Sequence, residues 1–212
     1  MKEKMNNNIL VVGAHPDDVE LGCGGTIAKH ISLGDKVYVL IMTNGNKGNH
    51  TPDMKECLTS LYLLDIKKED IFFANFEDGF LTDSQEVVDL IENYIKKLDI
   101  TRIYTHHPND RHQDHRHCSY AVSSAARKIP EILLFQGPST KNPFEPHYFV
   151  ELNEEQFNKK ISALNCYKSQ IEKGIVDLKW IEHLACFHGI PQNSHYAEAF
   201  AINHVFKRGE NV

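Results

Sequence analysis

The chain has 212 residues, of which 41% are hydrophobic and 25% charged, and its formal net charge is -6. That is long enough for one sizeable α/β domain and too apolar for a disordered chain, and the charge gives no reason to expect nucleic-acid binding. The five cysteines are scattered and never spaced Cys-x-x-Cys, so they read as free thiols of a cytoplasmic protein, and no stretch is long and apolar enough to cross a membrane.

After the polar residues 1–8, Ile9-Leu10-Val11-Val12 is a short apolar run of the kind that a buried parallel strand shows. Gly22, Gly24 and Gly25 follow, and a helix is predicted from about Thr26 to Leu33, ended by Gly34. A phosphate cradle and tight helix-to-sheet packing are both uses for such glycines. Packing is the expectation, because a His and two Asp already occupy the strand end. Val37 to Met42 is a second buried strand, followed by the loop Asn44 to Asn49. A helix is predicted over Met54–Leu64, a strand at Ile71–Phe73, and a helix capped by Ser84 that runs to Leu98 with Val87, Val88, Ile91, Tyr94 and Ile95 on one face.

The strand Arg102–Thr105 leads into a segment holding five of the thirteen histidines, followed by a helix over Asp114–Lys128 and a strand at Ile132–Phe135. The proline-bearing stretch 137–146 reads as a loop. Helices over Glu154–Glu172 and Val176–Cys186 and a strand at Ala199–Ile202 complete the chain. Strands alternating with helices predict a Rossmann-like, doubly wound, mostly parallel α/β sheet flanked by helices. No composition break or repeat marks a linker, so residues 1–212 are read as one domain.

The chemistry sits in two clusters, each just after an apolar run: Ala14-His15-Pro16-Asp17-Asp18 and His107-Pro108-Asn109-Asp110-Arg111-His112-Gln113-Asp114-His115. In an open parallel sheet, ligands gather outside the carboxyl ends of the strands. His15 and Asp18, three residues apart across a turn, can aim an imidazole and a carboxylate at one cation. His112 or His115 would be the third donor, leaving a fourth position for water, the mark of a catalytic metal site. Asp17 is the carboxylate placed to take a proton from that water. A protonated His112, supported by Asp114, can donate to a developing oxyanion. This inventory suits metal-assisted amide or ester hydrolysis. Asp110 and Arg111 are expected to face the crevice, Arg111 as a substrate clamp or as a carboxylate partner. His106 and His117 are read as supporting or surface residues, and Trp180 as core.

His15-Pro16-Asp17-Asp18 with Gly24-Gly25-Thr26 resembles the first motif of the PIG-L/LmbE-type zinc-dependent de-N-acetylases, and His112-Gln113-Asp114-His115 after His107-Pro108 resembles the second. The resemblance implies His15, Asp18 and His115 as zinc ligands, Asp17 as general base, His112 as oxyanion stabiliser or acid, and Asp114 as the group that tunes His112. Fainter echoes run through Thr43-Asn44-Gly45, Glu77-Asp78-Gly79, Tyr167-Lys168-Ser169-Gln170 and Tyr196-Ala197-Glu198-Ala199-Phe200. Many relatives carry a sugar-gripping arginine in the loop after the second strand, where this chain has Asn46, Lys47 and His50. Lys47, Arg111 and Glu198 are the residues expected to touch substrate.

The implied reaction is hydrolysis of the N-acetyl group of a small amino sugar or glycoconjugate. The cofactor is zinc, with iron or another divalent ion as the alternative, and a homo-oligomer is left open. The rival readings are a two-metal phosphoesterase and a non-catalytic metal- or nucleotide-binding module.

Overall fold

The computed structural model describes residues 7–45 and 54–206. The expected strands form at Asn8–Gly13 (β1), Lys36–Thr43 (β2), Ile71–Phe76 (β3), Arg102–His106 (β4), Glu131–Phe135 (β5) and, after an unexpected strand at Tyr148–Leu152 (β6), at Tyr196–Val205 (β7). The sheet order is β3-β2-β1-β4-β5-β7-β6. The first five strands are mutually parallel, and β7 runs antiparallel to both β5 and β6. Successive residues of β1 feed opposite sides: Ile9 and Val11 enter one core layer, Leu10 and Val12 the other. Burial on both faces is why these runs are continuously apolar rather than alternating.

Helices are Asp18–Ser32 (α1), Met54–Leu63 (α2), Gln85–Lys97 (α3), Gln113–Ala125 (α4), Glu154–Leu164 (α5), Lys168–Glu172 (α6) and Leu178–Gly189 (α7). Four expectations need correction. The first helix begins at Asp18, not Thr26, so Gly22, Gly24 and Gly25 lie inside it. A Cβ on Gly22 would sit 2.3 Å from the Phe135 ring, and one on Gly25 equally close to Leu152. Close helix-to-sheet approach requires these glycines, and overpacking there would cost about 1–3 kcal/mol. Gly34 does end the helix, in a left-handed conformation, with Asp35 N–H bonded to His30 O and Gly34 N–H to Ile31 O.

The second correction is β6, expected as loop: it is a half-exposed edge strand without an alternating pattern. The third is the stretch 154–172, which breaks into α5 and α6 because Asn165 to Tyr167 turn the chain. Finally, Ser84 stands at the N-cap of α3, but its side chain makes no capping bond.

Candidate active site

Strand β1 is the point where the sheet order reverses: β2 lies on one side of it and β4 on the other. The two chemical clusters follow β1 and β4, so the topology brings them to one crevice. A cleft of about 340 Å³ opens there, lined by His15, Asp17, Asp18, Asp78, His112 and His115, with apolar walls from Leu21, Pro138 and Ile175.

Three donors meet at its floor. His15 Nδ1 lies 3.3 Å from Asp18 Oδ2 and 3.3 Å from His115 Nε2, and His115 Nε2 lies 3.3 Å from Asp18 Oδ1. The outer nitrogen of each imidazole is held from behind. His15 Nε2 faces Asp114 Oδ2 and Asp78 Oδ1, both at 3.2 Å. His115 Nδ1 faces Asp110 Oδ1 at 3.3 Å and Ser139 Oγ at 3.2 Å. Carboxylates on the outer nitrogens favour N–H there, which leaves His15 Nδ1 and His115 Nε2 with lone pairs turned to Asp18.

Burial alone would lower the pKa of His15, but Asp114, Asp18 and Asp78 raise it well above the ordinary imidazole value. Burial likewise opposes the charged form of His115, yet Asp18 and Asp110 push it up to about 9. Burial would raise Asp18, and His115 overrides it, holding the carboxyl well below its usual range. The cluster therefore demands positive charge, which two protons or one divalent cation can meet. Other overlapping donor sets among the described residues are His15, His112 and His115; Asp18, His106 and His115; and His15, Asp78 and Asp114.

Asp17 occupies the N-cap of α1 with φ of 95°, a left-handed backbone, and makes no side-chain capping bond. Its carboxyl is buried at the cleft, and that burial, followed by the charges of Asp18 and Glu20, raises its pKa well above the ordinary carboxyl value. A carboxyl in that state is suited to take up and release a proton.

His112 caps α4, its Nδ1 accepting the Asp114 N–H at 3.2 Å. That bond corrects the expected pairing. The Asp114 carboxylate bonds His15 and the Gly79 N–H (2.7 Å), not His112. Burial, then the neighbouring His15 and His115, lower the His112 pKa instead of raising it. His112 is thus a neutral imidazole with its proton on Nε2.

Glu198 and Arg111 also differ from expectation. Glu198 is buried away from the cleft, where it accepts from the Gly25 and Thr26 amides and from Lys160, so its carboxylate is not turned toward the substrate space. Arg111 is exposed and does not line the cleft. Lys47, with Asn46 and His50, lies outside the described residues. His106 is buried, stacked on His115 with ring centroids 4.0 Å apart, its Nε2 3.0 Å from the Ala14 N–H and 3.2 Å from Asp18 Oδ2. His117 is a surface partner of Asp83.

Sequence reasoning misses Asp78 and Ser139. The signal for Asp78 is no more than the faint Glu77-Asp78-Gly79 echo, and Ser139 has none. Asp110 is expected in the crevice, but its job is clear only in three dimensions: fully buried, it accepts from His112 N–H, Ser139 Oγ and Thr140 Oγ1.

Fold and site together define a Rossmann-like α/β protein with an imidazole–carboxylate cluster at its topological switch point. The sequence profile described as "PIG-L: GlcNAc-PI de-N-acetylase" matches residues 10–126, and the chain belongs to this family. It is 38% identical over 169 residues to the uncharacterized deacetylase YaiS of Escherichia coli, covering 76% of this chain and 90% of that one. It is 26% identical over 220 residues to the diacetylchitobiose deacetylase of Thermococcus kodakarensis, covering 90% and 80%. The crystal structure of a conserved Thermus thermophilus protein superposes with a TM-score of 0.81 at 26% identity, over 95% of this chain and 96% of the other.

Proposed function

We propose that the chain, acting as one domain over residues 1–212, is a metal-dependent deacetylase that hydrolyses the N-acetyl group of an amino sugar or glycoconjugate. Fold alone does not choose a reaction, so the site must carry the reading. The observation that carries it is that His15 Nδ1 and His115 Nε2 lie 3.3 Å apart and each lies 3.3 Å from one oxygen of the Asp18 carboxylate, with Asp17 beside them. Ligands about 2.0–2.1 Å from a tetrahedral zinc stand about 3.3–3.4 Å from one another. The donor set and its demand for positive charge fit zinc, or iron in its place, and His15, Asp18 and His115 would hold the ion. The two relatives, both named as deacetylases, support the reaction class, and the five free thiols fit a cytoplasmic setting.

Such an ion supplies a polarised carbonyl and an acidified water. Asp17 accepts the proton lost as water attacks the amide carbon and returns it to the departing nitrogen as the C–N bond breaks. The His112 Nε2–H donates to the carbonyl oxygen as negative charge gathers there. A neutral imidazole does this without adding a second cation to the cluster. Asp114 and Asp78 keep the His15 ring in its tautomer, and Asp110 with Ser139 does the same for His115.

The test is release of free amine and acetate from N-acetylglucosaminides such as N,N'-diacetylchitobiose, with metal counted in the same preparation. One ion per chain with turnover is the expected result. Two ions per chain with phosphoester hydrolysis and no amine release would replace this reading with the two-metal phosphoesterase.

A further inference from the structure

Helix α1 is broken at Cys23, whose φ of -152° and ψ of 27° lie outside the helical range. The break separates a short turn carrying Asp18 and Leu21, both at the cleft, from the longer run that ends at Ser32. An unbroken helix would bond Gly25 N–H to Leu21 O and Thr26 N–H to Gly22 O. Two buried side chains take three of these four groups instead. Lys160, from α5, donates to Leu21 O at 2.8 Å. Glu198, from β7, accepts from Gly25 N–H at 3.0 Å and Thr26 N–H at 2.6 Å. The two side chains meet at 2.5 Å, each no more than 6% exposed. The cation caps the carbonyl end of one segment and the anion the amide end of the next, each matched to the partial charge it faces.

We propose that the Lys160–Glu198 pair is a positioning device: it occupies one rung of the helix ladder, holds α1 open, and so fixes the angle at which Asp18 is presented. Stability alone does not account for such a pair, because apolar residues of similar volume often serve a core as well. What they cannot do is bond the two separated backbone ends. Without the pair, the Gly25–Leu21 rung closes, Cys23 takes helical dihedrals, and the turn bearing Asp18 rotates about the helix axis.

The proposal rests on Asp18 as a metal ligand only for its consequence; the break itself can be tested apart from metal. The double variant Lys160→Met/Glu198→Leu removes both charges together. The expected result is a folded protein with wild-type circular dichroism, a crystal structure in which Gly25 N reaches Leu21 O, and affinity for Co²⁺ or Zn²⁺, by chelator competition, at least tenfold weaker. A structure still open at Cys23, or metal affinity equal to wild type, overturns it. Should the double variant fail to fold, Glu198→Gln decides. Its amide offers one acceptor oxygen where the carboxylate offers two, so it cannot serve Gly25, Thr26 and Lys160 together, and at least threefold weaker metal binding is expected where wild-type affinity would refute the proposal. If the wild type itself binds no metal, the ligand assignment has failed, and the Gly25–Leu21 distance in the double variant still decides whether the pair holds the helix open.

Discussion

Two regions of α1 bury charge within a few residues of each other and treat it in opposite ways. At the Cys23 break, Lys160 and Glu198 satisfy each other and the backbone ends around them. At the crevice, Asp17, Asp18, Asp78, Asp110 and Asp114 crowd around three imidazoles. Neither region bonds every buried polar atom, since Asp114 Oδ1 at the crevice and Thr26 Oγ1 at the break both lack a hydrogen-bond partner among the described residues. What sets the crevice apart is charge: its carboxylates and imidazoles pull on one another until the cluster demands positive charge, and strongly perturbed groups gathered in a cleft mark a functional site. The ion pair at the break balances its own charge, and the crevice does not.

Substitutions should separate the two regions. The largest effect is expected from His15→Ala, Asp18→Ala or His115→Ala. Each should strip the metal and reduce turnover by more than about a thousandfold, since the ion supplies several kcal/mol of barrier lowering. Metal analysis of the purified proteins checks this, and full occupancy in any one variant removes that residue from the ligand set. Next comes Asp17→Asn, which should keep its metal and lose about 10²–10⁴-fold in kcat. Turnover within a fewfold of wild type would put the proton elsewhere.

His112→Ala should cost about 10²–10³-fold in kcat, the scale of one lost oxyanion donor, again with metal retained. A change confined to KM would make it a binding residue instead. Asp114→Asn should weaken metal affinity about 10–100-fold by loosening the His15 ring. Should chelator competition show no change, Asp78 alone suffices for that support. Arg111→Ala, exposed and outside the cleft, should move kcat/KM by no more than about twofold. A larger loss would bring that arginine back to the substrate.

Much of this is legible in the chain. The apolar runs of β1, β2, β4 and β5 point to the parallel sheet, and the residue types after β1 and β4 point to the crevice. The rest depends on contacts that no local pattern records. β6 escapes because an edge strand paired on one side needs neither a continuous apolar run nor strict alternation. The start of α1 escapes because three glycines in four residues look like a loop until Phe135 and Leu152 are seen pressing on them. Asp114 has His112 as its near neighbour in sequence, yet the fold turns its carboxylate to His15, 99 residues away. Glu198 stands out in its string, but its partners, Lys160 and two helix amides, come from elements that the string does not mention.

The left-handed backbone at Asp17 has a consequence for anyone who tries to improve this protein. A φ of 95° suits glycine and burdens an aspartate. Asp17→Gly should therefore melt at a higher temperature than wild type, by the equivalent of roughly 0.5–1 kcal/mol, while its turnover falls at least as far as that of Asp17→Asn. A screen that rewards heat resistance alone would discard the proposed general base among its first gains. Natural chains that keep an acid at this strained position do so against their own thermal interest.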